Sequence, residues 1–162
     1  MASGSQLVAR RLALVAGLVV GPGMIATAAP AQAAYVPTAA TVAAYEARVI
    51  YQINVQRVKH AHGKLGAAIC LNKYARTWGS YLAHTGSFHH QSLTPILRGC
   101  KATRASENLA RGYATADATV AAWMASPGHR ANVLDGTVTR VGVAAAFANG
   151  QWTVVADFTR SS

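Results

Sequence analysis

Acidic side chains are scarce in this sequence of 162 residues. Five residues are Asp or Glu against fifteen Lys or Arg, which gives a formal net charge of +10 at pH 7. In a cytosolic protein such a balance would favour a nucleic-acid partner, whereas an exported protein would meet anionic cell-wall polymers or lipid head groups. The basic residues are scattered along the chain, which is typical of a solvated cationic surface. We therefore predict no nucleic-acid partner and keep an anionic cell-wall polymer as one candidate partner.

Cysteines are also few, and both lie well inside the chain, at Cys70 and Cys100. Two cysteines are too few for a cysteine-rich metal site, and no Cys–His or Ser–His–Asp signature of a nucleophilic hydrolase is evident. In an exported protein an even count favours a disulfide, with two buried free thiols as the alternative. A Cys70–Cys100 bridge would close a loop of about 30 residues and stabilise the fold by about 3 to 4 kcal/mol.

Long apolar runs are missing except for one near the start. Arg10 and Arg11 precede an apolar run from Leu12 to about Ala29, and the small residues 31–33 (Ala-Gln-Ala) follow it. This order is typical of a cleaved secretory signal peptide, which we place at residues 1–33. The helix-breaking residues 21–23 (Gly-Pro-Gly) make a permanent transmembrane anchor the weaker interpretation. We expect a secreted, extracellular monomer without a transmembrane anchor after cleavage.

The rest of the sequence predicts a short linker at residues 34–40 and one domain at 41–160. Apolar spacing predicts helices from Thr41, as the N-cap, to His60, from Leu71 to His84 and from Thr115 to Ala125, with another helix beginning at Ser126. Residues 85–103 are loop-like with one possible helical turn, and a strand is expected within 104–113. Asn149-Gly150 separates two strand-like segments and predicts a hairpin. Helices followed by a hairpin indicate an α+β fold.

Three ionisable residues are candidates for chemistry: His90, Glu107 and His129. The residue before Pro127 is disfavoured in a helix, so a new helix should begin at Ser126 and place His129 in its first turn. The positive end of the helix dipole disfavours imidazolium there and keeps the imidazole neutral. Two histidines and a glutamate form a known catalytic-zinc ligand set, and without metal they could act as an acid–base group. Sequence spacing alone does not decide whether they meet.

Four motifs together resemble the CAP superfamily, which comprises cysteine-rich secretory proteins, antigen 5 and pathogenesis-related 1 proteins. They are Asn54-x-x-Arg57, Gly86-x-Phe88-x-His90, Glu107-Asn108-Leu109-Ala110, and the run Trp123-Met124-x-Ser126-Pro127-Gly128-His129-Arg130-x-Asn132-Val133-Leu134. They occur in the family order between about Thr41 and Thr159, and they are most similar to the compact bacterial SCP-like secreted branch.

The resemblance implies an α-β-α sandwich with a small antiparallel sheet between helical layers. It also implies a cleft with two histidines and two acids, where some members bind zinc or another divalent cation. His90 and His129 match the histidines, with His89 an adjacent alternative to His90, and Glu107 matches the first acid. The position of the second acid is occupied by Ser126, so one carboxylate of the predicted metal site is absent. No role is assigned to Asp157.

Three classes of function remain open from the sequence. The favoured class is a non-catalytic binding module whose cleft or an adjacent groove holds a small ligand, a sterol-like lipid or fatty acid, or a divalent cation. The second is a protein that contacts cell walls or partners through its basic surface. The third is a metal-dependent hydrolase or peptidase with His90, Glu107 and His129 as catalytic candidates. No cofactor is predicted with certainty beyond a possible zinc ion or other divalent cation.

Overall fold

The computed structural model of the protein describes residues 35–161, which form an α+β fold of five helices and four strands in that range. The predicted signal peptide, 1–33, lies outside the described residues. The elements in chain order are α1 (Ala39–Lys59), β1 (Gly66–Ala67), α2 (Ile69–Thr85), α3 (Thr94–Gly99), β2 (Ala102–Arg111), α4 (Ala116–Ala125), α5 (Pro127–Val133), β3 (Arg140–Ala148) and β4 (Gln151–Ser161).

The four strands form one sheet in the order β1-β3-β4-β2. The predicted hairpin joins β3 to β4, and its turn residues Asn149 and Gly150 both have positive φ, at 52° and 74°, as a two-residue hairpin turn requires. Strand β2 pairs antiparallel with β4. The small antiparallel sheet that was expected consists of β2, β3 and β4, and β1 extends it by pairing in parallel with β3. Two residues are too few to show the alternation by which a strand is recognised.

Helices cover both faces of the sheet. Successive residues of a strand point to opposite faces, so neighbouring residues of one strand contact different helices. In β4, Val155 packs with Ala75 and Leu82 of α2. Its neighbours Val154 and Ala156 belong instead to the cluster formed with α1, α4 and α5. Each layer therefore contributes its own apolar contact to the sheet, and the predicted α-β-α arrangement is confirmed.

The start of α1 differs from the prediction. Thr38 is the N-cap rather than Thr41, and its side-chain oxygen accepts a hydrogen bond from the Thr41 backbone N–H at 3.2 Å. Ala39 and Ala40 favour helix strongly, so the helix begins before the first position of its apolar pattern. In the part of the chain that the structure describes, no helix is long and apolar enough to cross a membrane.

The predicted disulfide is present and joins Cys70 near the start of α2 to Cys100 at the end of α3. It fastens the two ends of the segment that contains the loop between these helices. Gly79 of α2 packs closely against the sheet, since a Cβ atom there would lie 3.3 Å from Val155 Cγ2. Helix α2 is therefore held against the sheet, and the loop that follows it carries His90.

Candidate functional site

The candidate site lies at the edge strand β2, where three segments meet. The loop between α2 and α3 contributes His90 and Gln91, β2 contributes Glu107, and the first turn of α5 contributes His129. The structure thus brings His90 and Glu107 into direct contact and places His129 close enough for the charge of His90 to act on it.

His90 is oriented by Glu107. The Nδ1–H of His90 donates to Glu107 Oε1 at 2.6 Å, and the side chains are 60% and 1% exposed, respectively. Since a carboxylate only accepts, Nδ1 must donate this hydrogen bond, so that Nε2 is the ring nitrogen left to bind a metal ion or to exchange a proton. A buried carboxylate that fixes one nitrogen of an exposed histidine is the arrangement found behind many metal-binding and proton-transferring histidines.

A second carboxyl group, from Asp157, lies beside Glu107. The two residues are partners in the β2–β4 register, and Asp157 is fully buried. The Nε2 of Gln91 donates to Glu107 Oε2 at 2.7 Å and to Asp157 Oδ1 at 3.2 Å. Burial and the negative charge of Glu107 raise the pKa of Asp157 to about 8 from an ordinary 3.8. Asp157 is therefore mostly protonated at neutral pH.

Sequence reasoning missed Asp157 and Gln91. An acid within the apolar run Val154-Val155-Ala156-Asp157-Phe158 is conspicuous, because a buried carboxyl needs a partner. That signal could have marked Asp157 as a candidate, but the sequence does not reveal which strand lies beside it. Gln91 carries no signal of its own besides following His90.

The first turn of α5 is tied to β2 by two asparagines. Asn108 Nδ2 donates to the His129 carbonyl at 3.0 Å, and Asn132 Nδ2 donates to the Glu107 carbonyl at 3.1 Å. Burial, followed by the charge of His90, lowers the pKa of His129. The direction agrees with the neutral imidazole expected from the sequence, and its causes are burial and the neighbouring histidine.

Between these elements lies an open pocket of about 260 Å³, lined in part by His90, Gln91, Glu107 and Asn132. Ser106 also lines it, and the Ser106 Oγ atom is buried without a hydrogen-bond partner among the described residues. A buried hydroxyl normally has a partner. A polar atom of a ligand or a water in this pocket could supply it.

Arg111 positions the loop that carries His90. Its guanidinium donates to the carbonyls of Leu82, Gly86 and Ser87 at 2.7, 2.9 and 2.6 Å. It also lies over the ring of Phe88, with Cζ 4.9 Å from the ring centroid. The Arg111 side chain therefore caps carbonyls at the C-terminal end of α2 and fixes the path of the chain toward His90.

Other motif residues make structural contacts. Arg57 is buried and donates to the carbonyls of Gly63, Val133 and Asp135. Trp123 is 1% exposed, and its Nε1–H donates to the Leu109 carbonyl at 2.9 Å. With Asn132, this bond satisfies carbonyls of the edge strand β2, so α4 and α5 are fixed in place beside the pocket.

The residues fit a metal only in part. Both oxygens of Glu107 are already engaged, by His90 and Gln91. Across residues 35–161 no three His, Cys, Asp or Glu side chains are grouped so that they could hold a metal ion. Ser126 is the N-cap of α5 and makes no side-chain cap hydrogen bond. The donors that remain as candidates are therefore the imidazoles of His90 and His129, with Glu107 orienting His90.

An α-β-α sandwich with a histidine–glutamate cleft at a sheet edge defines the class of this protein. The Cysteine-rich secretory protein family (CAP) matches residues 50–158. The chain is 33% identical over 120 residues to the uncharacterized protein YkwD of Bacillus subtilis (strain 168). The alignment covers 70% of this chain and 47% of that relative. The chain belongs to the CAP family, in its bacterial branch, and spans about half the length of that relative.

Two solved structures share the fold. An extracellular protein from Bacillus anthracis str. Ames that contains an SCP domain has a TM-score of 0.62 at 24% identity, covering 78% of this chain and 45% of that one. NaASP2, solved with Zn²⁺, has a TM-score of 0.56 at 13% identity, covering 73% and 80%.

Proposed function

We propose that this protein is a secreted, non-catalytic binding module whose cleft holds a divalent cation, and through it a small polar ligand. The observation that supports this most directly is the hydrogen bond from His90 Nδ1–H to the buried Glu107, which leaves Nε2 as the ring nitrogen that can bind a cation on an exposed side chain. The lowered pKa of His129 supplies a second neutral imidazole nearby. That the similar fold of NaASP2 was solved with Zn²⁺ agrees with this proposal.

His90 and His129 are the residues that would hold the cation, and the bound cation would supply a positive charge that attracts an oxygen of a ligand. Two histidines with solvent make a weaker zinc site than three or four protein ligands. Gln91, Ser106 and Asn132 line the pocket beside His90 and offer polar groups to the ligand. Because imidazole binds metal only when neutral, affinity should fall as the histidines are protonated.

Calorimetric titration with zinc tests this proposal. We expect weak binding near neutral pH, loss of binding in His90→Ala and in His129→Ala, and affinity reduced by about 10- to 100-fold in Glu107→Gln. His84→Ala is the matched control, since His84 is exposed on α2 away from the cleft. Equal zinc affinity in the wild type and His129→Ala would exclude the shared site.

A second candidate function, binding of a fatty acid, is supported by a groove along α1. This groove has a volume of about 370 Å³ and is lined by Tyr51, Asn54, Val55, Val58, Lys59 and Lys64. Val58 is 55% exposed although it is apolar. Apolar walls beside two ammonium groups suit an acyl chain with a carboxylate, whereas the polar cleft at His90 does not.

Displacement of a fluorescent fatty acid by oleate tests this second function. Binding should weaken in Val58→Ser and persist at high salt, because it depends on apolar burial more than on exposed charges. Val36→Ser is the control, since Val36 is also exposed but lies outside the groove. Binding only to anionic polymers, abolished by salt, would instead favour a function of the basic surface.

A further inference from the structure

A separate pocket lies at the far end of the sheet, beyond the end of β2. It has a volume of about 470 Å³, larger than the 260 Å³ of the histidine cleft, and it shares no lining residue with that cleft. Gly112, at its wall, is five residues beyond Glu107, which is about 16 Å along an extended strand. The two pockets are therefore distinct places on the protein.

Four of the eight residues that line this pocket, which we call the aromatic pocket, carry aromatic rings. Tyr35, Tyr113, Phe147 and Trp152 all line it. Phe147 contacts Tyr35 and Trp152 edge to face, with centroids 5.5 and 5.1 Å apart. Behind the wall, Tyr45 stacks on Trp152 at 4.6 Å. The rings support one another, so that they need little reordering when a ligand enters.

The loop on the other side of the pocket is equally fixed. Gly112 N–H donates to the Trp152 carbonyl at 2.9 Å, and the Tyr45 hydroxyl donates to the Tyr113 carbonyl at 3.1 Å. The backbone of Tyr113 is thus anchored, while its side chain remains 39% exposed and Tyr35 is 61% exposed. Two phenol rings are therefore presented to solvent, that of Tyr113 from an anchored backbone and that of Tyr35 in contact with Phe147.

The pocket lacks charge, although the protein is strongly basic. The described residues that line it include no Asp, Glu, Lys, Arg or His, in a chain with a net charge of +10. The amide of Gln151 and the phenol hydroxyls supply its hydrogen-bonding groups. An anionic polymer would find no partner charge here, and a long acyl chain would leave these polar groups without partners.

We infer that the aromatic pocket binds a neutral saccharide. Sugar rings have apolar C–H faces that pack on aromatic rings and hydroxyl edges that hydrogen-bond to amides and phenols, which is the combination offered by Tyr35, Tyr113 and Gln151. The volume lies within the range of small-molecule sites. This inference is independent of the proposed function, because it involves neither histidine of the cleft.

The probe is triacetylchitotriose, a neutral oligosaccharide, titrated into the protein while its amide NMR signals are recorded. We expect saturable shifts at Gly112, Gly150 and Gln151 that are the same at low and high salt. Tyr35→Ala and Tyr113→Ala should each weaken affinity by about three- to tenfold. Tyr51→Ala, which removes a tyrosine that is 57% exposed on α1, should leave affinity unchanged, as should His90→Ala.

Several results would overturn the inference. Absence of shifts with both triacetylchitotriose and maltotriose would remove the saccharide as occupant. Shifts that map to Trp78 of α2 or to the histidine cleft would place the sugar outside the aromatic pocket. Tyrosine-dependent binding of oleate without binding of either sugar would assign the pocket to apolar ligands. Unchanged melting temperatures of Tyr35→Ala and Tyr113→Ala would show that any loss of affinity is not caused by unfolding. A Tyr113→Phe variant retains the ring and should keep most of the affinity.

Discussion

Replacement of Asp157 by asparagine should change how the stability of the protein depends on pH. In the unfolded chain this carboxyl loses its proton near its ordinary pKa of 3.8, whereas in the folded protein burial and Glu107 hold the pKa at about 8. Between these values the folded state binds one more proton than the unfolded state. The free energy of unfolding must therefore fall as pH rises through this window, and Asp157→Asn should abolish that part of the fall.

The size of this effect on the free energy of unfolding follows from the one extra proton that the folded protein binds. Each pH unit inside the window costs about 1.4 kcal/mol, so that from about pH 4 to about pH 7 the wild type loses about 4 kcal/mol through Asp157. An amide has nearly the shape of a protonated carboxyl and can still accept from Gln91 Nε2. We therefore expect Asp157→Asn to match the wild type near pH 4 and to exceed its stability by about 3 to 4 kcal/mol near pH 7.

Urea unfolding at a series of pH values, with a chelator present, measures this difference. The difference between the two proteins is the useful quantity, because titration of His129 is common to both. Asp117→Asn is the control: hydrogen bonds, chiefly from Arg48, lower the pKa of Asp117, so its contribution is lost as pH falls and the variant should show the opposite trend. Parallel pH–stability curves for the wild type and Asp157→Asn would refute the reasoning.

Three further substitutions test the packing around the site. Gly142→Ala should lower the free energy of unfolding, measured in urea, by about 1 to 3 kcal/mol, because the added Cβ would collide with Leu71 in α2. Gly63→Ala is the control, since its added Cβ would meet no atom within 4 Å. Removing both cysteines should cost about 3 to 4 kcal/mol, read from the urea midpoint under oxidising conditions. Arg111→Met should speed amide hydrogen exchange at His90 and cost about 2 to 3 kcal/mol, since it frees three carbonyls.

The parts of the fold that the sequence predicts are those written in local patterns. Asn149-Gly150 predicts the hairpin because few residues other than these adopt positive φ at both turn positions. Thr115 and Ser126 mark helix starts by their positions before an alanine-rich and a proline-initiated segment. In contrast, β1 leaves no local pattern, since its two residues become a strand only by pairing with β3.

The site was predictable only as a set of residues. Family motifs indicate His90, Glu107 and His129, yet nothing in their spacing shows that Glu107 is a buried hydrogen-bond partner of His90. The coupling of Glu107 to Asp157 depends on the register between β2 and β4, and register is a property of tertiary packing that one sequence does not display. The raised pKa of Asp157 depends on that pairing, so it could not be predicted before the register was known.

Ser126, where the family pattern has an acid, gives the last test of the cleft. Asp157 does not replace that acid, because it is protonated at neutral pH and fully buried. Since the Ser126 side chain makes no cap hydrogen bond, Ser126→Glu should cost little stability, and its charge should tighten zinc by about tenfold if His129, three residues on, is a ligand. Ala125→Glu adds the same charge at the neighbouring exposed position and should change zinc affinity much less. An equal gain in both variants would mean that general attraction, and not a third ligand at the cleft, explains the effect.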